Sequence, residues 1–366
     1  MSVSVRRAFV VGCVAVVAAC GLSAVGEFVT SEVDGGSEAG PPVFPESGTQ
    51  DGASDAGSDL DVSTFDAQGK CLEVCEAGTC DAGTCVIDCT AGGSCDERVV
   101  CPPIVGCAVT CAANQCRQGI DCAEAGACKI DCSGSGSCIN QGIACSGSSC
   151  AVTCGPNACT QGIACEAGTC KIECAGSGSC INKPITCEST GACAIECASN
   201  SCTSGVSCDA GSCNIGCIGS GSCTNQPVLC NAVTACSVSC GGDAASGSNS
   251  CPQSVVCNAG TACNVACTAS TTCQNNPVQA RAQRVDVDCI GNNACNKGVV
   301  VSGGDASVTC SSNGGCGTTI FCDAGKCAAD CVPTGNPQAT LCCPDGSPCT
   351  VDATQCNAGN FKVGCP

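Results

Sequence analysis

A repeating pattern of cysteine and aliphatic positions runs along the chain from Cys80 to Cys331. Each unit has a first cysteine, four or five residues, a second cysteine, three residues, a third cysteine, usually four or five residues, and a fourth cysteine. One unit consists of Cys165, Cys170, Cys174 and Cys180, and most units begin 20 to 23 residues after the previous one. A fixed period of this length is typical of repeat architectures.

Alternation within each unit predicts two short strands. The residue midway between the second and third cysteines is Ile or Val, as at Ile172, and strand side chains alternate between faces. Cys170, Ile172 and Cys174 therefore share one face. A second aliphatic residue, such as Ile163, lies two positions before each first cysteine and predicts another inward-facing strand. Glycine recurs every few residues without helical periodicity, so helix is not expected.

Turns rich in Gly, Ser, Asn and Asp separate the predicted strands, as in 133–137. Short strands with tight corners at a constant period predict an all-β fold, a disulfide-rich parallel β-solenoid of about eleven to twelve coils of 20–23 residues each. The alternative is a string of independent disulfide-bonded modules. Such modules are joined by linkers of variable length, whereas the spacing here is nearly constant, which favours the solenoid.

Two units are disguised by substitution of their cysteines. Ala280 and Val285 take the first two cysteine positions of the tenth unit, and Val301 and Ala306 take those of the eleventh. The spacing survives where the cysteines do not. The period therefore belongs to the backbone, and cysteine is one of several residues that fill its interior positions.

A second regular feature follows the fourth cysteine by two residues in most units. An amide side chain stands there, and stacked amides can hydrogen-bond from coil to coil, as in cross-β ladders. We therefore expect an amide ladder from the following residues: Gln118, Asn140, Gln161, Asn182, Asn225, Gln253 and Asn275.

The spacing also restricts disulfide pairing. The second and third cysteines are about 13 Å apart along a strand, too far for a bridge. Bridges across corners, first to second and third to fourth, and vertical bridges between coils remain. The tenth and eleventh units each lose the first and second cysteines together, which favours corner pairing. The central units would then contain these pairs: Cys165–Cys170, Cys174–Cys180, Cys187–Cys193, Cys197–Cys202, Cys208–Cys213 and Cys217–Cys223.

The amino-acid composition excludes several kinds of functional site. The chain has 52 Cys and no His, so His-based catalysis and His metal sites are excluded. A net charge of −19 disfavours nucleic acid as a partner. Cysteine at this density predicts an oxidising compartment. The Cys-x-Cys and Cys-x-x-Cys spacings of metal-binding thiols do not occur, and we expect neither a metal nor another cofactor.

The N-terminus predicts export. Arg6 and Arg7 precede an apolar stretch, Ala8 to Ala19, which ends in Val17-Ala18-Ala19-Cys20. This sequence resembles the lipobox of bacterial lipoprotein precursors. The resemblance implies cleavage before Cys20 and acylation of Cys20, and with two or three acyl chains the anchor would be stable. The alternative is an ordinary signal peptide cut after Ala19. Gly21 stands where inner-membrane lipoproteins have Asp, which favours the outer membrane.

Four segments follow from these patterns: a signal peptide at 1–19, a disordered acidic lipid-proximal linker at 20–70, the cysteine-rich repeat solenoid at 71–331 and a cysteine-rich C-terminal cap at 332–366. The linker has ten acidic residues and no base before Lys70, so it buries too little apolar surface to fold. Cysteines outside the repeat pattern, among them the vicinal Cys342 and Cys343, are expected to form cap bridges to separate partners.

The chain as a whole resembles the cysteine-rich repeat surface lipoproteins of Gram-negative bacteria. We therefore expect an exported, non-enzymatic cell-envelope protein, anchored to the membrane through Cys20, with a structural, adhesive or protective role. Its expected location is the outer membrane or the cell surface. The alternative is a module that binds carbohydrate or another surface ligand along one solenoid face, although the repeats lack the stacked aromatic residues that would support it. An enzyme ranks third, because the scattered carboxylates, such as Glu173 and Glu196, show no catalytic spacing in the sequence.

Overall fold

The computed structural model describes residues 78–90, 95–103, 105–242, 248–310, 314–317, 319–331, 339–343, 348–351 and 361–363. The chain divides into two units, 1–59 and 60–366, and every described residue lies in the second. The predicted signal peptide, Cys20 and the acidic linker therefore lie outside the described residues.

The described part of the chain contains strands and turns but no helix. Its 19 strands form one sheet. In chain order they are β1 (Thr79–Asp81), β2 (Thr84–Cys89), β3 (Val99–Val100), β4 (Gly106–Cys111), β5 (Ile120–Cys122), β6 (Ala127–Cys132), β7 (Ile143–Cys154), β8 (Ile163–Cys174), β9 (Ile185–Cys197), β10 (Val206–Cys217), β11 (Val228–Cys240), β12 (Val255–Ala259), β13 (Ala262–Cys267), β14 (Val278–Cys289), β15 (Val299–Cys310), β16 (Thr319–Cys331), β17 (Ala339–Cys342), β18 (Cys349–Val351) and β19 (Phe361–Val363).

Each coil pairs in parallel with the next, with cysteine above cysteine. Cys145 is the register partner of Cys165, and Cys165 is the partner of Cys187. The pairing of β1 with β2 is antiparallel. At the other end β17 and β18 pair with β16, and β19 pairs with β17, all in parallel. The fold is therefore the predicted disulfide-rich parallel β-solenoid, with about eleven turns.

The two predicted strands of a coil join into one in much of the solenoid. In β8, for example, a single strand passes from Ile163 through the corner to Cys174. Corner residues keep hydrogen bonds between coils, as when the Ser148 N–H donates to the Gly126 carbonyl at 2.6 Å and the Arg284 N–H to the Thr261 carbonyl at 2.9 Å. Because these bonds continue through the bend, the ladder is not interrupted there. We call the part of each coil that ends at the first cysteine the first arm, and the part from the second to the third cysteine the second arm.

The core is a set of rows that run from coil to coil. Ile163, Ile185 and Val206 stack in the first arm, and Ile172, Ile195 and Ile215 stack in the second, all at most 2% exposed. The corner cysteines are buried between these rows. Each coil encloses little volume. Cys, Ile and Val side chains make up most of its interior, together with buried Ala and a few buried Ser and Thr.

The disguised coils keep this register. Ala280 and Val301 stand in the row of Cys257 and Cys322, and Val285 and Ala306 stand in the row of Cys263 and Cys327. All four replacements are buried, with at most 5% exposure. The tenth and eleventh units are thus complete coils with aliphatic side chains at two cysteine positions, as the spacing predicts.

The closing turn, between the third and fourth cysteines, has a strained backbone. Its fourth cysteine adopts a left-handed conformation in coil after coil, for example φ +54° at Cys180 and +52° at Cys202. The residue before it is often a fully buried Ser or Thr. The Ser179 hydroxyl donates to the Gly176 carbonyl at 2.6 Å, and Ser222 and Thr272 make the same bond to the carbonyl three residues earlier. These bonds satisfy the hydroxyls inside the turn.

Candidate functional site: sulfur columns and outward ladders

Two columns of disulfides run through the solenoid. The first column joins first and second cysteines, and the second column joins third and fourth cysteines. The central coils contain Cys165–Cys170, Cys174–Cys180, Cys187–Cys193, Cys197–Cys202, Cys208–Cys213 and Cys217–Cys223, which are the pairs that corner bonding predicts. Cα–Cα distances across the bridges range from 5.5 Å at Cys310–Cys316 to 6.6 Å at Cys187–Cys193. These distances are ordinary for a bridge.

Neighbouring bridges in a column lie close together. The sulfurs of Cys101, Cys107 and Cys122, for instance, are all within 4.8 Å of one another. Three sulfurs at such distances have the proximity of a thiolate metal site. Cys101 and Cys107 are bonded to each other, and Cys122 is bonded to Cys128, so the sulfurs are not free thiolates to bind a metal.

The vicinal cysteines near the C-terminus have separate partners. Cys343 is bonded to Cys349, and Cys342 is also disulfide-bonded. The two neighbours are therefore not bonded to each other, as expected for structural bridges in the cap. The lipidation candidate, Cys20, lies outside the described residues.

The prediction of an amide ladder is wrong, because within the described residues the predicted side chains do not hydrogen-bond to one another from coil to coil. Two hydrogen bonds join amide side chains within the described ranges: Asn258 donates to Asn231 at 3.0 Å and Asn276 donates to Gln253 at 3.3 Å. Neither bond joins two members of the expected ladder. Asn140 and Asn182 instead donate their backbone N–H groups to Arg117 and Thr160 of the preceding coil. We call the segment that follows the fourth cysteine the return segment, and its contacts with the preceding coil at these two positions are made by the backbone.

The structure shows a two-coil repeat that is not visible in the pattern of a single coil. Two residues before the fourth cysteine, a left-handed position alternates between Asn and Gly: Asn114, Gly136, Asn157, Gly178, Asn200 and Gly221. A Cβ on Gly178 would lie 2.5 Å from the Asn157 Oδ1, and one on Gly221 would lie 2.6 Å from the Asn200 Oδ1. Each Asn side chain thus occupies the space above the glycine of the next coil. Closing turns that alternate between four and five residues signal this repeat in the sequence.

The return segment alternates in the opposite phase. Gly119, Gly162 and Gly205 have φ between +82° and +95°. Their counterparts in the next coils are long polar residues, Gln141, Lys183 and Gln226. A Cβ on Gly205 would lie 2.7 Å from the Gln226 Cβ, and one on Gly162 would lie 3.0 Å from the Lys183 Cβ. A long side chain therefore stands on this edge at every second coil, with a glycine between.

The outward surface of the first arm forms an open groove beside that edge. Two adjoining concavities, of about 470 Å³ and 320 Å³, share Pro184 and Thr186. Small or aliphatic side chains lie along the groove, including Ala144, Ala164 and Leu229. Open concavities lined by apolar and polar groups are the usual form of a ligand site, which makes this groove a candidate.

The outward surface of the second arm brings two scattered carboxylates together. Glu173 and Glu196 are register partners on neighbouring coils and line a concavity of about 260 Å³ with Lys171. The Lys171 Nζ lies 2.6 Å from the Glu173 Oε1. This hydrogen bond and the Glu173 charge raise the pKa of Lys171, and the Glu196 charge contributes further. The cluster is surface charge stacked by the period of the solenoid, with Glu196 exposed to solvent.

Comparison with known proteins found no matching family model, no matching curated protein and no matching solved structure. A search of the described residues for a helix long and apolar enough to span a bilayer also found none.

Proposed function

We propose that the chain is a lipid-anchored, exported, non-enzymatic protein of the cell envelope, with a structural, adhesive or protective role. The observation that carries this proposal is the disulfide interior. Bridges fill both corners of most coils, and such a core forms and persists in an oxidising compartment outside the cytosol. The apolar N-terminal stretch and the lipobox resemblance at Cys20 support export with retention at the membrane.

A structural or adhesive role suits the architecture because stacked repeats of similar sequence form a long, regular surface. The non-enzymatic assignment is supported by the surroundings of the most suggestive acids. Glu173 is engaged by Lys171 at 2.6 Å, and both groups lie on an outward ladder. General acid catalysis relies on a desolvated carboxyl positioned against the substrate, whereas these groups are part of an ion-paired surface.

The carbohydrate-binding alternative is favoured by the first-arm groove. It consists of two adjoining concavities with a polar return-segment edge, and it lies on one face of the solenoid as that alternative requires. An adhesive envelope protein needs such a surface, so the alternative refines the proposed role.

Cys20→Ser tests the anchor, with Cys13→Ser as the matched control within the same apolar segment. We expect wild type and Cys13→Ser to enter the detergent phase on phase separation, and Cys20→Ser to remain in the aqueous phase. Mass spectrometry of the mature N-terminal peptide should show acyl chains on Cys20. Membrane retention of Cys20→Ser would refute the lipid anchor, while leaving the disulfide core to be assessed by thiol counting in the denatured, unreduced protein.

A further inference from the structure

The floor of the first-arm groove is a ladder of small outward side chains. Ala144, Ala164, Thr186, Ser207 and Leu229 occupy equivalent positions on five successive coils and are register partners. All are partly exposed. One floor residue is therefore presented at each coil step, about 4.8 Å apart.

Polar side chains line one side of this floor, and a row of acidic side chains runs parallel to it, beyond the lining, on the other. Gln141, Lys183 and Gln226 stand on the return-segment edge at every second coil, about 10 Å apart, with glycine in the coils between. On the other side lies an exposed row two residues further along each strand, formed by Glu166, Glu188 and Asp209. The groove thus combines a smooth, largely apolar floor with hydrogen-bonding groups at a regular spacing.

We propose that this groove binds an extended, neutral, β-linked glycan, with one sugar ring over each coil. The apolar face of a pyranose ring packs on Ala or Leu, while ring hydroxyls reach the amide and ammonium groups on the return-segment edge. In a β-1,4-linked chain alternate rings are turned over, so the same hydroxyls return at every second ring. The edge residues Gln141, Lys183 and Gln226 repeat at every second coil in the same way.

Other extended ligands fit this surface less well. A peptide strand docks by main-chain hydrogen bonds to a free sheet edge, but β8 is paired on both sides, with β7 and β9. A polyanionic glycan would lie about 7 Å from the acidic row of Glu166, Glu188 and Asp209 and be repelled by it. Arg98, the second base that lines the groove, is paired with Asp121 at 3.1 Å. Lys183 has no ion-pair partner within the described ranges, which leaves its ammonium group available to a hydroxyl or ring oxygen.

This inference rests on the proposed export and names the ligand class of the adhesive role. Binding of cellohexaose and chitohexaose to the full-length exported protein in detergent, measured by titration calorimetry, tests it. Ala164→Leu raises one step of the floor above its neighbours Ala144 and Thr186, so that rings can no longer lie flat across all three. This change should weaken binding about tenfold, equivalent to about 1.4 kcal/mol. Ala151→Leu is the matched control, because Ala151 is an equally small, partly exposed outward residue on the second arm of β7.

Gln226→Ala provides a second test at an exposed edge position where folding is not at risk, and it should also weaken binding. Maltohexaose, whose α-linked chain curves, and polygalacturonate, which is anionic, should bind poorly. The proposal is overturned if neither β-linked probe binds, if Ala151→Leu loses as much affinity as Ala164→Leu, or if either comparison glycan binds equally well. Cys20→Ser leaves the groove intact, so failure of the lipid anchor and failure of glycan binding are read separately.

Discussion

The coils from Cys101 to Cys273 and the two coils from Val278 to Cys316 form the same backbone with different interiors. The former have a bridge at both corners, as at Cys208–Cys213 and Cys217–Cys223. The latter keep the closing-turn bridges, Cys289–Cys295 and Cys310–Cys316, and have Ala and Val at the other corner. The parallel register continues without interruption between the two regions.

The comparison teaches that shape and stability have separate origins in this solenoid. Inward rows of Ile and Val and the inter-coil hydrogen bonds define a coil, because β14 and β15 form without the first-column bridge. The bridges reduce the entropy of the unfolded chain instead.

The turn geometry also changes between the regions. The left-handed fourth cysteines run from Cys116 to Cys273, whereas Cys295 and Cys316 do not share that conformation.

Complete reduction should have the largest effect. In the oxidised protein we expect strong amide protection across 165–229 and weaker protection across 280–316, because the latter coils have one bridge each. Reduction should remove protection from both regions, since small coils with a thin core fold poorly without cross-links. Hydrogen exchange resolved by coil measures this. A reduced chain that kept its strand signal and protection would show that the backbone ladder alone holds the solenoid together.

Exchanging the corner residues between regions should have the next largest effect. Ala280→Cys with Val285→Cys restores a first-column bridge over the same separation as Cys208–Cys213, and should stabilise the coil by about 2 kcal/mol. Cys208→Ala with Cys213→Val should cost a similar amount. Exchange-derived opening free energies of the two coils provide the measurement, with the single variant Ala280→Cys as the control. If the new bridge did not stabilise the coil, Ala and Val at the corner would contribute as much stability as a disulfide does there.

The two-coil alternation should matter equally in both regions. Gly178 and Gly314 have φ of +75° and +76°, and a Cβ on each would lie within 2.7 Å of an Asn Oδ1, at Asn157 and Asn293 respectively. Gly178→Ala and Gly314→Ala should each cost about 1–2 kcal/mol through backbone strain and steric conflict.

Removing the Asn157 side chain, which covers Gly178, separates steric conflict from backbone strain. Asn157→Gly should recover part of the loss caused by Gly178→Ala, because it removes the conflict but not the left-handed strain. Thermal and denaturant unfolding of the single and double variants gives the coupling. Strict additivity would show that Asn157 does not determine the glycine in the next coil.

Surface ion pairs should have the smallest effect. Lys171–Glu173 and Arg284–Asp286 are matched pairs two residues apart on the second arm, one from each region, at 2.6 Å and 3.0 Å. Lys171→Ala and Arg284→Ala should scarcely change the unfolding midpoint, because both pairs are solvent-exposed. The pKa of Lys171 is raised, so its small contribution is present below its ordinary value of 10.5 and is lost as pH rises through the folded value. A marked fall of the unfolding midpoint at a pH below 10.5 that Lys171→Ala abolished would contradict the small contribution assigned to this ion pair.

The single-coil features of the fold follow from the sequence alone. Strand alternation places Cys170, Ile172 and Cys174 on one face, and strand rise excludes a bridge between the two cysteines. Joint loss of the corner cysteines at Ala280 and Val285 then distinguishes corner from vertical pairing. These inferences succeed because each depends on residues close together in the chain.

Features that depend on neighbouring coils were decided only by the tertiary structure. Asn157 and Gly178 are 21 residues apart, yet the side chain of one occupies the space that a Cβ on the other would fill. Asn140 lies at the expected position, but its hydrogen bond to the preceding coil is made by its backbone N–H, which donates to the Arg117 carbonyl. The groove likewise exists because Ala164, Thr186 and Ser207 are stacked in register beside Lys183 and Gln226. A local pattern specifies which face a side chain occupies, whereas contacts between coils depend on how one turn of backbone lies upon the next.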